Sequence, residues 1–251
     1  MKFKSILASL LVTGSAFAQS PPPAILPMPS AECIAALKLN PSTYPAPRME
    51  YFLGVNATNE KAHQIADSIQ LVFDGDSITA QWLTVGKDFW EERYGHLHPF
   101  DFGIPGDKTQ NLLWRLSQGQ MDGIRPKLIV LMIGTNNGGR PIEEVADGVK
   151  AIVAEYQKRC PEAVILIQAI FPCGEQPDNP ARLRIKAVNQ LLSKLGDDRK
   201  VIYLDFGDKF LNPDGTMSKE IMPDFLHPSA KGYQIWADAI QPVIDKYFPK
   251  K

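Results

Sequence analysis

Ser77 is the residue in this chain best placed to act as a nucleophile. It stands in Gly75-Asp76-Ser77-Ile78, after an apolar run over 69–73, where a strand would stop and turn. A serine hydroxyl is a weak nucleophile until a base takes its proton, and that base works best when a third group orients it. Far downstream, Asp224-Phe225-Leu226-His227 sets a carboxylate beside an imidazole. Imidazole suits a base that must also return its proton near neutral pH. Two more blocks lie between. Gly103 through Gly106-Asp107 offers a glycine whose bare backbone can approach a ligand. Gly134-Thr135-Asn136-Asn137 sets a side-chain amide, a donor without net charge, at the end of another apolar run. Singly, each block is an ordinary turn or cap. Their order and their placement after apolar runs make the set read as a serine esterase.

Such residues need a frame that brings distant blocks together. Short apolar runs at 69–73, 128–133, 164–170 and 201–204, with a weaker one at 100–102, lack polar alternation. That is the pattern of parallel strands buried on both faces. Helical stripes alternate with them. Ile142, Val145, Val149, Ile152, Val153 and Tyr156 share one face, with Pro141 as a first-turn residue; Val188, Leu191, Leu192 and Leu195 share a second; Tyr233, Trp236, Ile240, Ile244 and Tyr247 share a third. Strand–helix alternation implies a doubly wound α/β domain, whose ligands sit at the carboxyl ends of the strands. Ser77 should open a helix there, with capping as its alternative role.

The four blocks together resemble the GDSL, or SGNH, hydrolase family from about Leu71 to Ile240. The nearest branch is that of the platelet-activating-factor acetylhydrolase catalytic subunits and secreted bacterial relatives. Three stretches carry that closeness: Asn111-Leu112-Leu113-Trp114-Arg115-Leu116, Ile133-Gly134-Thr135-Asn136-Asn137 and Asp224-Phe225-Leu226-His227. The resemblance implies a three-layer, flavodoxin-like fold with a five-stranded parallel sheet. It implies Ser77 as nucleophile, His227 as base and Asp224 as its orienting carboxylate. The oxyanion hole would comprise the backbone N–H groups of Ser77 and Gly106 and the Asn136 amide. Asp205, Asp208 and Asp214 lack the motif spacing. The chain departs from the common pattern at Asp74, usually apolar, at Lys108, a cation near the pocket rim, and at Asn137, often aspartate. The substrate implied is a short acyl ester, most naturally acetyl on carbohydrate, with a short-chain phospholipid as runner-up and a non-catalytic carbohydrate-binding protein as the other class.

Composition bounds the rest. Lys2 and Lys4, the apolar stretch 6–12 and Ala16-Phe17-Ala18 read as a signal peptide over 1–18, cleaved after Ala18, so a secreted or periplasmic protein is expected. Residues 19–50 form a proline-rich segment, expected to strap onto a hydrolase domain spanning 51–251. A net charge of −1 without a basic block argues against nucleic acid as partner. No membrane span is expected, since the apolar stretch falls short of the roughly 20 residues needed. His63, His96 and His98 complete no ligand pattern, so neither metal nor cofactor is expected. Cys160 and Cys173 flank one apolar run, roughly 30 Å apart if it is a strand, too far for a disulfide. Pairing of Cys33 with either stays open.

Overall fold

The computed structural model describes residues 40–48 and 52–249. The expected signal peptide, Cys33 and most of the proline-rich stretch lie outside them. Five strands form one parallel sheet: β1 (Leu71–Gly75), β2 (Pro99–Asp101), β3 (Leu128–Met132), β4 (Val164–Gln168) and β5 (Val201–Leu204), ordered β2-β1-β3-β4-β5. This is the doubly wound α/β architecture that the alternation of runs implies. β1 extends two residues further than the apolar run indicates, because Asp74 and Gly75 pair with Leu131 and Met132.

Helices α1 (Phe52–Gln64), α2 (Ser77–Ala80), α3 (Thr109–Ser117), α4 (Ile142–Arg159), α5 (Pro180–Leu192) and α6 (Ala230–Tyr247) complete the chain, with short helical turns over 81–97. Pro141 precedes α4 as its cap rather than entering the first turn, its ψ of 143° being extended. Asn179 caps α5 through N–H groups of Ala181 and Arg182, with Pro180 at the first position, where its missing N–H costs nothing.

Alternate strand residues face opposite layers. Val72, Ile129, Leu131, Ile165 and Ile167 pack with α3, α4 and α5. Phe73, Val130, Met132 and Leu166 pack with α6 and the 81–97 turns. The chain leaves β1 for β2 on one side and reaches β3 on the other. Such a reversal of strand order opens a crevice at the carboxyl ends. Ser77, Gly106 and Asn136 follow β1, β2 and β3 into it.

Candidate active site

The turn after β1 sets the position of Ser77. A Cβ on Gly75 would meet the Met132 carbonyl oxygen at 2.2 Å, so only glycine lets the strand end this close to β3. Asp76, not Ser77, caps α2: its Oδ1 accepts from the Ile78 N–H at 3.0 Å. Ser77 is thus the first residue inside the helix, its side chain free for other work. No described group accepts from its N–H.

His227 reaches Ser77 from the loop just before α6, a helix that the buried Tyr233 and Trp236 clamp against the sheet. The Tyr233 hydroxyl donates to the Ile78 carbonyl at 2.5 Å and ties α6 to α2. Ser77 Oγ lies 2.9 Å from His227 Nε2, and His227 Nδ1 lies 2.7 Å from Asp224 Oδ2. An ionised carboxylate only accepts, so Nδ1 carries the proton and Nε2 offers a lone pair to the serine. Asp224 Oδ1 also accepts from the N–H groups of Leu226 and His227, at 3.1 and 2.7 Å. Burial pushes the Asp224 carboxyl up, but bonds from the His227 ring and the two backbone N–H groups outweigh it and hold the carboxyl below its ordinary range. The loop closes this tightly because Phe225 adopts φ 59°, which is strained for a bulky residue. Phe225 is pinned there by its N–H to Met222 and its carbonyl to the Gly174 N–H.

Gly106 and Asn136 face the same crevice. Gly106 has φ 78°, and among the described residues nothing accepts from its N–H. Asn136 Nδ2 lies 3.0 Å from the Asp107 carbonyl oxygen and 3.3 Å from Asp76 Oδ2. Asn137 turns away from the crevice. Its buried amide bonds Thr109 and Ser42, joining this loop to α3 and the 40–48 segment. Lys108, expected at the rim, is solvent-exposed.

A charged cluster lies beneath these loops, and residue spacing did not reveal it. Asp74 accepts from Arg115 Nη2 at 3.0 Å, from the Tyr156 hydroxyl at 2.6 Å, from the Gly75 N–H and from Gln120. Arg115 Nε donates to Asp107 Oδ2 at 2.8 Å. Burial alone would lower the Arg115 pKa, but Asp74 and Asp107 more than reverse that and hold it above its ordinary range. The guanidinium therefore bridges the end of β1 to the loop after β2. Asp76 was missed as well. Burial raises its pKa to about 7, against the Ile78 N–H and His227, which lower it.

Other candidates fall outside this group. Asp205 and Asp214 accept from the backbone N–H groups of Gly207 and Thr216. His63, His96 and His98 are exposed, and among the described residues no cluster of three or more His, Cys, Asp or Glu could hold a metal ion. Cys160 and Cys173 carry free thiols. No helix of the described residues is long and apolar enough to cross a membrane. A separate cleft of about 440 Å³ lies between α5 and the end of β5, walled in part by Leu183, Lys186, Gln190, Tyr203 and Asp205, and includes none of Ser77, Gly106, Asn136, Asp224 or His227.

Residues 73–235 match the profile of the GDSL-like lipase/acylhydrolase family. The chain is 40% identical over 165 residues to platelet-activating factor acetylhydrolase IB subunit alpha1 of Bos taurus, covering 65% of this chain and 70% of that one. It is 42% identical over 164 residues to the alpha2 subunit of Rattus norvegicus, at the same coverage. Among solved structures, a GDSL-like lipase from Bacteroides thetaiotaomicron superposes with TM-score 0.62 at 19% identity, covering 76% of this chain and 98% of the other. An acetyl xylan esterase superposes with TM-score 0.61 at 22% identity, covering 70% and 100%. The matched segment begins within β1 and runs into α6, so it encloses every residue of the crevice described above. The chain is therefore a carboxylic ester hydrolase and belongs to the GDSL-like lipase/acylhydrolase family.

Proposed function

We propose that this hydrolase removes short acyl groups, chiefly acetyl, through a covalent Ser77 intermediate. The unbroken chain from Ser77 Oγ through the His227 ring to Asp224, at 2.9 and 2.7 Å, carries this reading. Ser77 Oγ attacks the acyl carbon as its proton passes to His227 Nε2, and the carbonyl oxygen takes the negative charge. The N–H groups of Ser77 and Gly106 and the Asn136 amide stabilise that charge. Collapse expels the alcohol, which takes the proton from Nε2. Water then repeats the sequence and releases the acid. Asp224 fixes the ring tautomer and stabilises the imidazolium.

The natural substrate is proposed to be an acetylated carbohydrate met outside the cytoplasm. The signal-like residues 1–18 and the fold shared with an acetyl xylan esterase support it. A short-chain phospholipid ester is the second reading, favoured by the identity to the acetylhydrolase subunits. Acetate release measured over acetylated polysaccharides and short-chain phospholipids separates the two, and turnover of phospholipid alone overturns the carbohydrate reading. Polar and turn residues in the covers at 171–182 and 207–225 leave no long amphipathic lid. Nitrophenyl acetate is therefore expected to be cleaved faster than butyrate, with octanoate nearly inert; octanoate as the best of the three would point to a lipase.

A further inference from the structure

The described part of the proline-rich segment, residues 40–48, reaches the loop after β2. Residues 40–48 lie along α3 and α4: the Ala46 N–H donates to Gln110 O at 3.0 Å, Asn111 Nδ2 donates to Ala46 O at 2.9 Å, and Asn40 Nδ2 lies 3.3 Å from Glu144 O. This docking carries Arg48 onto the loop after β2. Arg48 Nη1 donates to the Pro105 carbonyl oxygen at 2.5 Å and lies 3.2 Å from Asp107 Oδ1. The guanidinium lies against the Cα of Gly106, where an added Cβ would meet Nη1 at 2.9 Å, Nη2 at 3.1 Å and Cζ at 3.3 Å. The carbonyl that Arg48 grips and the Gly106 N–H belong to the same peptide plane, so a hold on one end fixes the direction of the other.

We infer that Arg48 is a positioning residue for the oxyanion hole, acting through the Pro105–Gly106 peptide. It does two things to that peptide. It fixes the plane, which a glycine with φ 78° would otherwise let swing. It also draws electron density toward the Pro105 oxygen, and a peptide polarised at its carbonyl is a stronger donor at its N–H. The second effect grows as negative charge develops on the substrate oxygen, so it favours the transition state over bound substrate. On the other side Arg115 holds the Asp107 carboxylate, so the loop is clamped between two guanidinium groups, one from the segment before the domain and one from α3. The inference rests on the reading of Gly106 as an oxyanion donor.

The test compares Arg48→Ala, Arg48→Lys, Asn40→Ala and Asn136→Ala in hydrolysis of nitrophenyl acetate by the full chain. Arg48→Ala should lower kcat about 10- to 100-fold, less than full loss of an oxyanion donor, with KM within about twofold of wild type. The inhibition constant of a boronic acid, which binds serine as a tetrahedral anion, should rise by the same factor. Arg48→Lys keeps the charge but not the flat fork and should fall between. Low concentrations of guanidinium ion should restore part of the Arg48→Ala rate. Asn40→Ala loosens the same segment at its far end and should leave kcat unchanged. A kcat for Arg48→Ala within twofold of wild type overturns the inference, as does an equal loss in Asn40→Ala. If Arg48→Ala does not fold, Arg48→Lys decides, through a kcat that falls while the melting temperature holds or one that does not fall at all. Full activity in Asn136→Ala would remove the oxyanion reading itself, whereas loss there without loss at Arg48 removes only the inference.

Discussion

Two clusters of polar side chains meet at Ser77, one facing water and one sealed from it. The side chains of His227 and Asp224 are 29% and 56% exposed. Those of Asp74, Arg115 and Asp107 are 0%, 2% and 3% exposed. In the proposed mechanism the outer pair exchanges a proton with substrate and water. Its side chains are partly solvated, so each is cheap to keep and simple to remove. The inner cluster exchanges nothing. Its charges have given up their hydration and persist only because each is matched, so removing one strands another in an apolar interior. Similar chemical types are therefore proposed to serve turnover above the serine and rigidity below it.

That contrast makes Ser77→Ala the cleanest case, with ester hydrolysis expected to fall by about 10⁴-fold or more and the melting temperature to stay within about 2 °C. A Ser77→Ala protein that still turns over nitrophenyl acetate would remove this serine from the mechanism. Asp224→Asn should cost about 10³–10⁴ in kcat, because the wrong ring tautomer is stabilised, again with little change in melting. Collapse of the fold in this variant would break the comparison from the outer side. Arg115→Met should do the reverse, lowering stability by about 3–5 kcal/mol as a drop in the urea midpoint, since Asp74 and Asp107 stay buried without their partner. Equal stability of Arg115→Met and wild type would break it from the inner side.

A pH-dependent effect lies at the seam between the clusters. Asp76 titrates near 7 when folded, its burial opposed by the Ile78 N–H and His227 and assisted by Asp107. An unfolded aspartate titrates near 3.9. Between those values the folded state holds one more proton, so ionising Asp76 makes stability fall as pH rises, by at most about 1.4 kcal/mol per pH unit. The loss is complete above pH of about 7. Asp76→Asn removes this contribution and keeps an acceptor for the Ile78 N–H, so its stability relative to wild type should climb from pH 4 to 7. Denaturant midpoints at several pH values would show it, and parallel curves would refute it.

The outer cluster was legible in the sequence because Asp224 and His227 are three apart and the blocks for Ser77, Gly106 and Asn136 each end a strand-like run. The inner cluster was not. Arg115 was noted only within the stretch 111–116 that carries the resemblance, Asp74 looked like a departure from pattern, and Tyr156 read as core. They are 41 and 82 positions from Asp74, and no local spacing links them. The cap on α2 was not legible for a related reason. Serine and aspartate both cap well, and only the backbone geometry shows that Asp76 takes the role.

The packing beneath α6 also determines what light the protein emits. Of four tryptophans, Trp82, Trp90 and Trp236 share one buried cluster, with ring centroids 4.8 Å apart for Trp82 and Trp236 and 6.3 Å for Trp82 and Trp90. Indoles this close exchange excitation and couple their transition dipoles, so the near-ultraviolet dichroism of this trio reports the seating of the helix that follows His227. Trp114 lies apart, packed with Val55 and Ile104. Excited alone, as the single indole left after the trio is changed to phenylalanine, it would report the region where Arg48 and Arg115 grip the same loop.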